Sequence, residues 1–196
     1  MHWPDNPFWD YAVALYRRPG VEAACLELQA RHGLDVNLVL LCCWLAARGV
    51  AGDEQTLRRV AAAAASWQAA FVRPLRAVRR QLKSDLAAPR PGSMPARWPE
   101  LTSGLRGRVL ALEIDGERLE QLLLAALVVD LPPTAAPGVA LASANLRCYW
   151  GFAAADRPAL AALLGAAFPG VSAAAVAAAL ERIEDLSQAG EPLPHA

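Results

Sequence analysis

Histidine is scarce in this sequence. Only three occur in 196 residues, and His2 and His195 lie near its two ends, which leaves His32 as the one interior imidazole. A metal centre built from several histidines is therefore not expected, nor is the Glu-x-x-His pattern of helical di-iron proteins. Cysteine is equally thin. Cys25, Cys42, Cys43 and Cys148 form no CxxC pair, and the neighbours Cys42 and Cys43 would point about 100° apart on a helix, so four buried, reduced thiols are expected. No GxSxG elbow, P-loop or GxGxxG fingerprint occurs, which removes the usual hydrolase, nucleotide and dinucleotide signatures. A long apolar run is also missing. Residues 158–180 carry no charge, but most are alanine and Pro169-Gly170 interrupts them, so no membrane span is expected. The first residues show no basic stretch leading into an apolar one, and no secretory signal is expected there. Net charge is zero, from 19 basic and 19 acidic side chains, and does not announce a nucleic-acid binder.

What is present is alanine, about a fifth of the chain, and an apolar fraction of 55%. That is enough to bury a core and too much for a disordered chain. Helix punctuation recurs and strand signals barely appear. Asn6-Pro7 predicts a helix to about residue 17. Pro19-Gly20 then breaks the chain, and a second helix is predicted over 21–31, closed by Gly33. Asp35 should cap a third over 36–48, apolar nearly all round and therefore the buried centre of a bundle. Asp53 should cap a long fourth helix reaching Leu86, kinked by Pro74. An irregular stretch is expected over 88–104. A fifth helix follows over 105–129, weakened near Asp115-Gly116, and three more are predicted over 139–153, 157–167 and 171–188. The fold expected is all-α, an irregular bundle of seven to eight helices in one domain, residues 1–190, with a frayed tail over 191–196.

Charge is unevenly spread. Residues 1–98 hold 13 basic and 8 acidic groups, whereas residues 99–196 hold 6 and 11. The basic excess concentrates at Arg73, Arg76, Arg79, Arg80 and Lys83, most of which share one face of the fourth helix. Leu75, Val78, Leu82 and Leu86 form a separate apolar stripe. Glu113, Glu117 and Glu120 repeat at helical spacing on the fifth helix. Two readings follow. The two charged faces pair inside the molecule, or the arginine face stays free for an anionic partner.

Several segments together carry a resemblance: Phe8-Trp9-x-x-Ala12-x-x-Leu15-Tyr16 with Pro19-Gly20-Val21, then Gly33-x-Asp35-Val36-Asn37, then Pro74-Leu75-Arg76-x-x-Arg79-Arg80-x-Leu82-Lys83, and Asn145-Leu146-x-x-Tyr149. The chain resembles an uncharacterised proteobacterial family, a domain of unknown function, over most of its length to about residue 185. The resemblance implies a small, bacterial, cytoplasmic helical protein and brings no activity, ligand or catalytic residue with it.

The leading functional expectation is a cytoplasmic interaction or adaptor protein. It would present Arg73, Arg76, Arg79, Arg80 and Lys83 to an acidic protein surface, with nucleic acid disfavoured and no membrane involved. The alternative is a binder of a small apolar or anionic ligand in space left at the Pro74 kink among Trp44, Trp67 and Phe71. Asp35 and Asn37 are expected to serve the start of the third helix. No catalytic residue, metal or cofactor is expected. A buried carboxylate beside Cys25 or His32 would be needed to revive an enzymatic reading. Self-association is left open.

Overall fold

The computed structural model describes residues 2–87 and 95–189, with side chains as far as Arg182. The expected tail over 191–196 and the first part of the irregular stretch lie outside the described residues. All regular structure among the described residues is helical. In chain order the helices are α1 (Pro7–Tyr16), α2 (Val21–His32), α3 (Val36–Ala47), α4 (Glu54–Trp67), α5 (Arg73–Ala87), α6 (Trp98–Val128), α7 (Val139–Tyr149), α8 (Arg157–Ala167) and α9 (Ala173–Ala189). A five-residue π-helical segment, Gln68–Val72, joins α4 to α5, so the expected long fourth helix exists as one rod in three pieces.

The π segment has a clear cause. Pro74 has no backbone N–H and its ring collides with the carbonyl four residues earlier. Widening the turn lets the Arg73 N–H donate to the Gln68 carbonyl, five residues back, and the rod continues past the proline. The expected kink is thus taken up as a π bulge.

Helix ends follow local chemistry. The Asp35 carboxylate accepts the Asn37 N–H at 2.9 Å and the Asp53 carboxylate accepts the Thr56 N–H at 2.6 Å. Gly33 closes α2 in the left-handed conformation. Asn6 does precede α1, but its side chain makes no capping bond and is buried without a partner. The fifth predicted helix begins at Trp98 rather than Leu105, because Pro99 is well placed in a first turn. Gly116 does not weaken it. The glycine lies inside a continuous helix, where a Cβ would make ordinary contact with Val72 at 3.6 Å.

α3 is the centre, with Leu38 through Ala46 all buried. Around it the core takes Phe8, Ala12 and Leu15 from α1, Cys25 and Leu28 from α2, Leu57 and Val60 from α4, Leu124 and Val128 from α6, and Leu146 from α7. Leu160, Leu163 and Leu164 of α8 and Leu180 of α9 complete it. Nothing from α5 belongs to it, since no residue of α5 is buried. α5 and the first half of α6 therefore form a two-helix arm running out from the bundle.

Gly49 links α3 to the loop before α7. It has φ +72°, and its carbonyl accepts the Thr134 and Ala135 N–H groups at 2.8 and 3.0 Å. A Cβ there would lie 2.6 Å from the Ala135 carbonyl oxygen. Gly49→Ala should cost about 1–3 kcal/mol of unfolding free energy. Gly33→Ala has a similar φ with open space around it, so it should cost less, about 1 kcal/mol. Denaturant titration of both variants separates the collision from the strain. Equal losses would mean the loop simply steps aside.

Candidate functional site

Arginines on α5 meet glutamates on α6. Arg76 donates from Nε to Glu113 Oε1 at 2.9 Å and from Nη2 to Glu117 Oε1 at 2.8 Å. Arg79 donates from Nε to Glu113 Oε2 at 2.5 Å and from Nη2 to Glu113 Oε1 at 3.2 Å. Burial acts to raise the Glu113 carboxyl, but the hydrogen bonds from Arg79 and Arg76 outweigh it and hold the group below its ordinary range. At Glu117 burial wins over Arg76, and that carboxyl is raised. Arg76 and Arg79 are thus tied into the molecule. Arg73, Arg80 and Lys83 are exposed and make no ion pair among the described residues.

The third glutamate of the α6 series behaves differently. Glu120 is fully buried, and its Oε2 accepts Asn37 Nδ2–H at 3.0 Å and Gln68 Nε2–H at 2.7 Å. Burial, together with the Asp35 carboxylate, pushes its pKa up to about 9. At neutral pH the group is therefore a neutral acid, and its Oε1, which accepts no hydrogen bond, carries a proton it can donate toward Asp35. Gln121 Nε2–H donates to Asn37 Oδ1 at 2.6 Å, while its own Oε1 is buried without a partner. The Asp35 N–H donates to the Tyr149 hydroxyl at 3.2 Å. Asn37 therefore does more than serve the first turn of α3, since its side chain bridges α3 to α6.

These two regions face one another across a cleft of about 1090 Å³. Arg73, Arg76 and Arg80 of α5 line one wall. Trp9 and Tyr16 of α1, Arg17 just after it, Gln29 of α2 and the Asp35–Asn37 turn line the others, with Gln68, Glu117 and Gln121 between them. Two segments 40 residues apart in sequence, the Gly33–Asn37 turn and the Pro74–Lys83 stretch, thus share one site. The π segment contributes by turning Gln68 inward, where it is buried against Glu120.

The aromatic set expected at the kink does not assemble there. Trp44 packs on Phe8 with centroids 5.3 Å apart and lies under the Arg48 guanidinium at 4.6 Å. Trp67 stacks on Phe71 at 4.3 Å and donates from Nε1 to the Gly116 carbonyl at 2.9 Å. None of the three lines the cleft. Trp67 and Phe71 meet each other on neighbouring turns of the rod, while Trp44 is held on α3 against Phe8, so the three do not come together. The aromatics that do line the cleft are Trp9 and Tyr16, seven residues apart on α1. That spacing, about 100° round the helix from the buried pair Phe8 and Leu15, is the signal by which the sequence could have offered them.

His32 does have a buried carboxylate beside it. Asp156, fully buried before α8, lies 2.8 Å from His32 Nε2, accepts Arg31 Nη1–H at 2.6 Å and accepts the Ala153 N–H at 2.9 Å. Burial acts to raise Asp156, but the backbone hydrogen bond and the two side chains of α2 hold it low. The imidazole also packs on Trp150 at 5.1 Å. This cluster fastens the end of α2 to the start of α8. Cys25 cannot serve as its nucleophile, because burial pushes that thiol up to about 12. Among the described residues no group of three or more histidine, cysteine, aspartate or glutamate side chains could hold a metal ion, and no helix is long and apolar enough to cross a membrane.

Fold and site together define the class: an all-helical bundle with a two-helix arm, whose arginine wall faces an amide-lined, partly acidic pocket. The chain belongs to the family described as Protein of unknown function (DUF2390), which matches residues 7–124. No curated protein and no solved structure matches it. The match covers every residue that lines the cleft and ends inside α6, whereas the resemblance read from the sequence ran on to about residue 185.

Proposed function

We propose that the protein binds a small anionic molecule in the cleft, with its charged group on Arg73 and Arg80 and an uncharged polar part against Asn37 and Gln121. The observation that carries this reading is the pair of elements facing one space that have no partner among the described residues: the Arg73 and Arg80 guanidiniums on one wall and Gln121 Oε1 on the other. A guanidinium recognises a carboxylate or phosphate by two parallel hydrogen bonds. A buried acceptor without a donor costs free energy that a ligand N–H or O–H recovers. The adaptor reading has less support, because Arg76 and Arg79, central to the expected docking face, are occupied by Glu113 and Glu117. No catalytic step is assigned. A reducing, cytoplasmic setting suits the four free cysteines.

Calorimetric titration with inorganic phosphate, pyrophosphate, a dicarboxylate and a nucleoside monophosphate tests the proposal. At least one probe should bind, and Arg73→Ser with Arg80→Ser should weaken it by about 100-fold or more, at 1.5–3 kcal/mol for each charged hydrogen bond. The thermal midpoint of the unliganded double variant should stay nearly unchanged, because neither arginine makes an ion pair among the described residues. Absence of binding by all four probes, or equal binding by the variant, counts against the cleft. Retention of an acidic protein by the variant's wild-type parent, uncompeted by any small anion, would favour the adaptor reading.

A further inference from the structure

α6 carries an apolar stripe that the bundle does not cover. Leu101, Leu105, Leu112, Leu119 and Leu123 are each 37–58% exposed, and Trp98 at the start of the helix is 43% exposed. At 100° per residue the five leucines fall within about 40° of one another around the helix axis. They form one line roughly 33 Å long at 1.5 Å per residue. Leu105, Leu112 and Leu119 are seven residues apart, the repeat of a helix seam that packs against another helix.

The stripe also reads the same in both directions. Leu105 and Leu119 stand seven residues either side of Leu112, Leu101 and Leu123 stand eleven, and Trp98 and the exposed Ala126 stand fourteen. The angular offsets invert in step, with Leu101 and Leu119 to one side of Leu112, Leu105 and Leu123 to the other. A helix with this pattern is complementary to itself when a second copy lies antiparallel, with the twofold axis passing beside Leu112. Charge selects the same alignment. Arg108 and Asp115 lie on one edge of the stripe, four residues before and three after Leu112, and neither makes an ion pair among the described residues. Antiparallel pairing brings each Arg108 level with the other copy's Asp115, on the same side of the seam. Parallel pairing would set Arg108 against Arg108.

We propose that two copies of this chain associate through antiparallel packing of α6, with Leu112 at the symmetry axis. The two-helix arm explains why the surface is needed. α5 has no buried residue, and α6 reaches the main core through Leu124 and Val128, with Ala125 and Leu127 packed on it, beyond the arm. Two arms side by side make a four-helix assembly in which the stripe is covered on both copies. The inference stands apart from the cleft, whose residues it does not use.

Sedimentation velocity across the micromolar range should give twice the 20.9 kDa of one chain. Leu112→Cys should form a disulfide-linked dimer under mild oxidation, since the substituted position faces its own copy. Leu110→Cys, exposed on the other side of the helix, should not. Arg108→Asp should weaken association by about 10-fold, and Arg108→Asp combined with Asp115→Arg should restore it. Circular dichroism confirms that each variant keeps its helices. A single-chain mass at every concentration, or cross-linking at position 110 as fast as at 112, overturns the proposal. Cross-linking at 112 without rescue by the charge swap also overturns it, since the antiparallel register predicts both.

Discussion

Replacing Asn145 by leucine is expected to lower the unfolding free energy by roughly 2–5 kcal/mol. Asn145 is buried on α7, and its carboxamide spans three backbone groups, one in the middle of α3 and two just after it. Its Oδ1 accepts the Gly52 N–H at 2.8 Å, while Nδ2 donates to the Val50 carbonyl at 3.1 Å and the Cys42 carbonyl at 3.3 Å. Leucine has nearly the same volume, so little is lost in packing. The buried Gly52 N–H and Val50 carbonyl, however, lose their side-chain partner, at about 1–3 kcal/mol each. For a chain of this size each kcal/mol lowers the thermal midpoint by about 2–4 °C. Asn145→Asp keeps the acceptor for Gly52 but turns a second oxygen toward two carbonyls, so it should recover none of the loss at neutral pH. A leucine variant within about 1 kcal/mol of wild type would show that water reaches residues 50–52 and replaces the side chain.

Glu120→Gln should have the opposite effect. The folded protein keeps Glu120 protonated up to about pH 9, against an ordinary value of 4.5. Between those values the folded state binds a proton that the unfolded state has released. Stability therefore falls as pH rises through that window and levels off above it, with a slope of at most ~1.4 kcal/mol per pH unit. Glutamine presents an amide oxygen to Asn37 and Gln68 and an N–H to Asp35 without any ionisation. The variant should match wild type near pH 4.5 and become progressively more stable than it toward pH 9. Denaturant midpoints measured at several pH values read the difference directly. Parallel curves for the two proteins would mean that Glu120 is ionised in the fold.

Glu120 also shows where the sequence stopped being readable. Its spacing from Glu113 and Glu117 placed all three on one face of α6, and two of them do meet the arginines of α5. Nothing in that spacing distinguished the residue that would lie beneath Asn37 and Gln68, because its burial depends on α3 and the π segment arriving from other parts of the chain. Capping was local and therefore legible: Asp35, Asp53 and Gly33 act at the helix ends as their positions implied. Pro74 announced an interruption, but a π bulge and a sharp kink are alternative answers to the same missing hydrogen bond. The start of α6 was obscured by Gly104, whose weak helix propensity is overridden by packing and by the proline-bearing first turn. The Asp156–His32 contact joins residues 124 positions apart, beyond the reach of any periodicity. The cleft was half legible. Both of its charged segments stood out in the sequence, whereas Trp9 and Tyr16 stood there only within a segment that carries the resemblance.

The arrangement around α3 has a consequence for the chain while it is being made. α3 is apolar on every side, and α1, α2 and α4, which are translated close to it, cover only part of that surface. α7 and α8 supply Leu146, Asn145, Leu160 and Leu164 to the same core, and they are added roughly 100 residues later, after the whole arm. At 5–20 residues per second, this most water-averse segment waits on the order of 5–20 s for its cover. The segment matched by the family, residues 7–124, is thus complete as a cleft but incomplete as a core. Until α7 and α8 are made, α3 stays open to any chaperone or neighbouring chain.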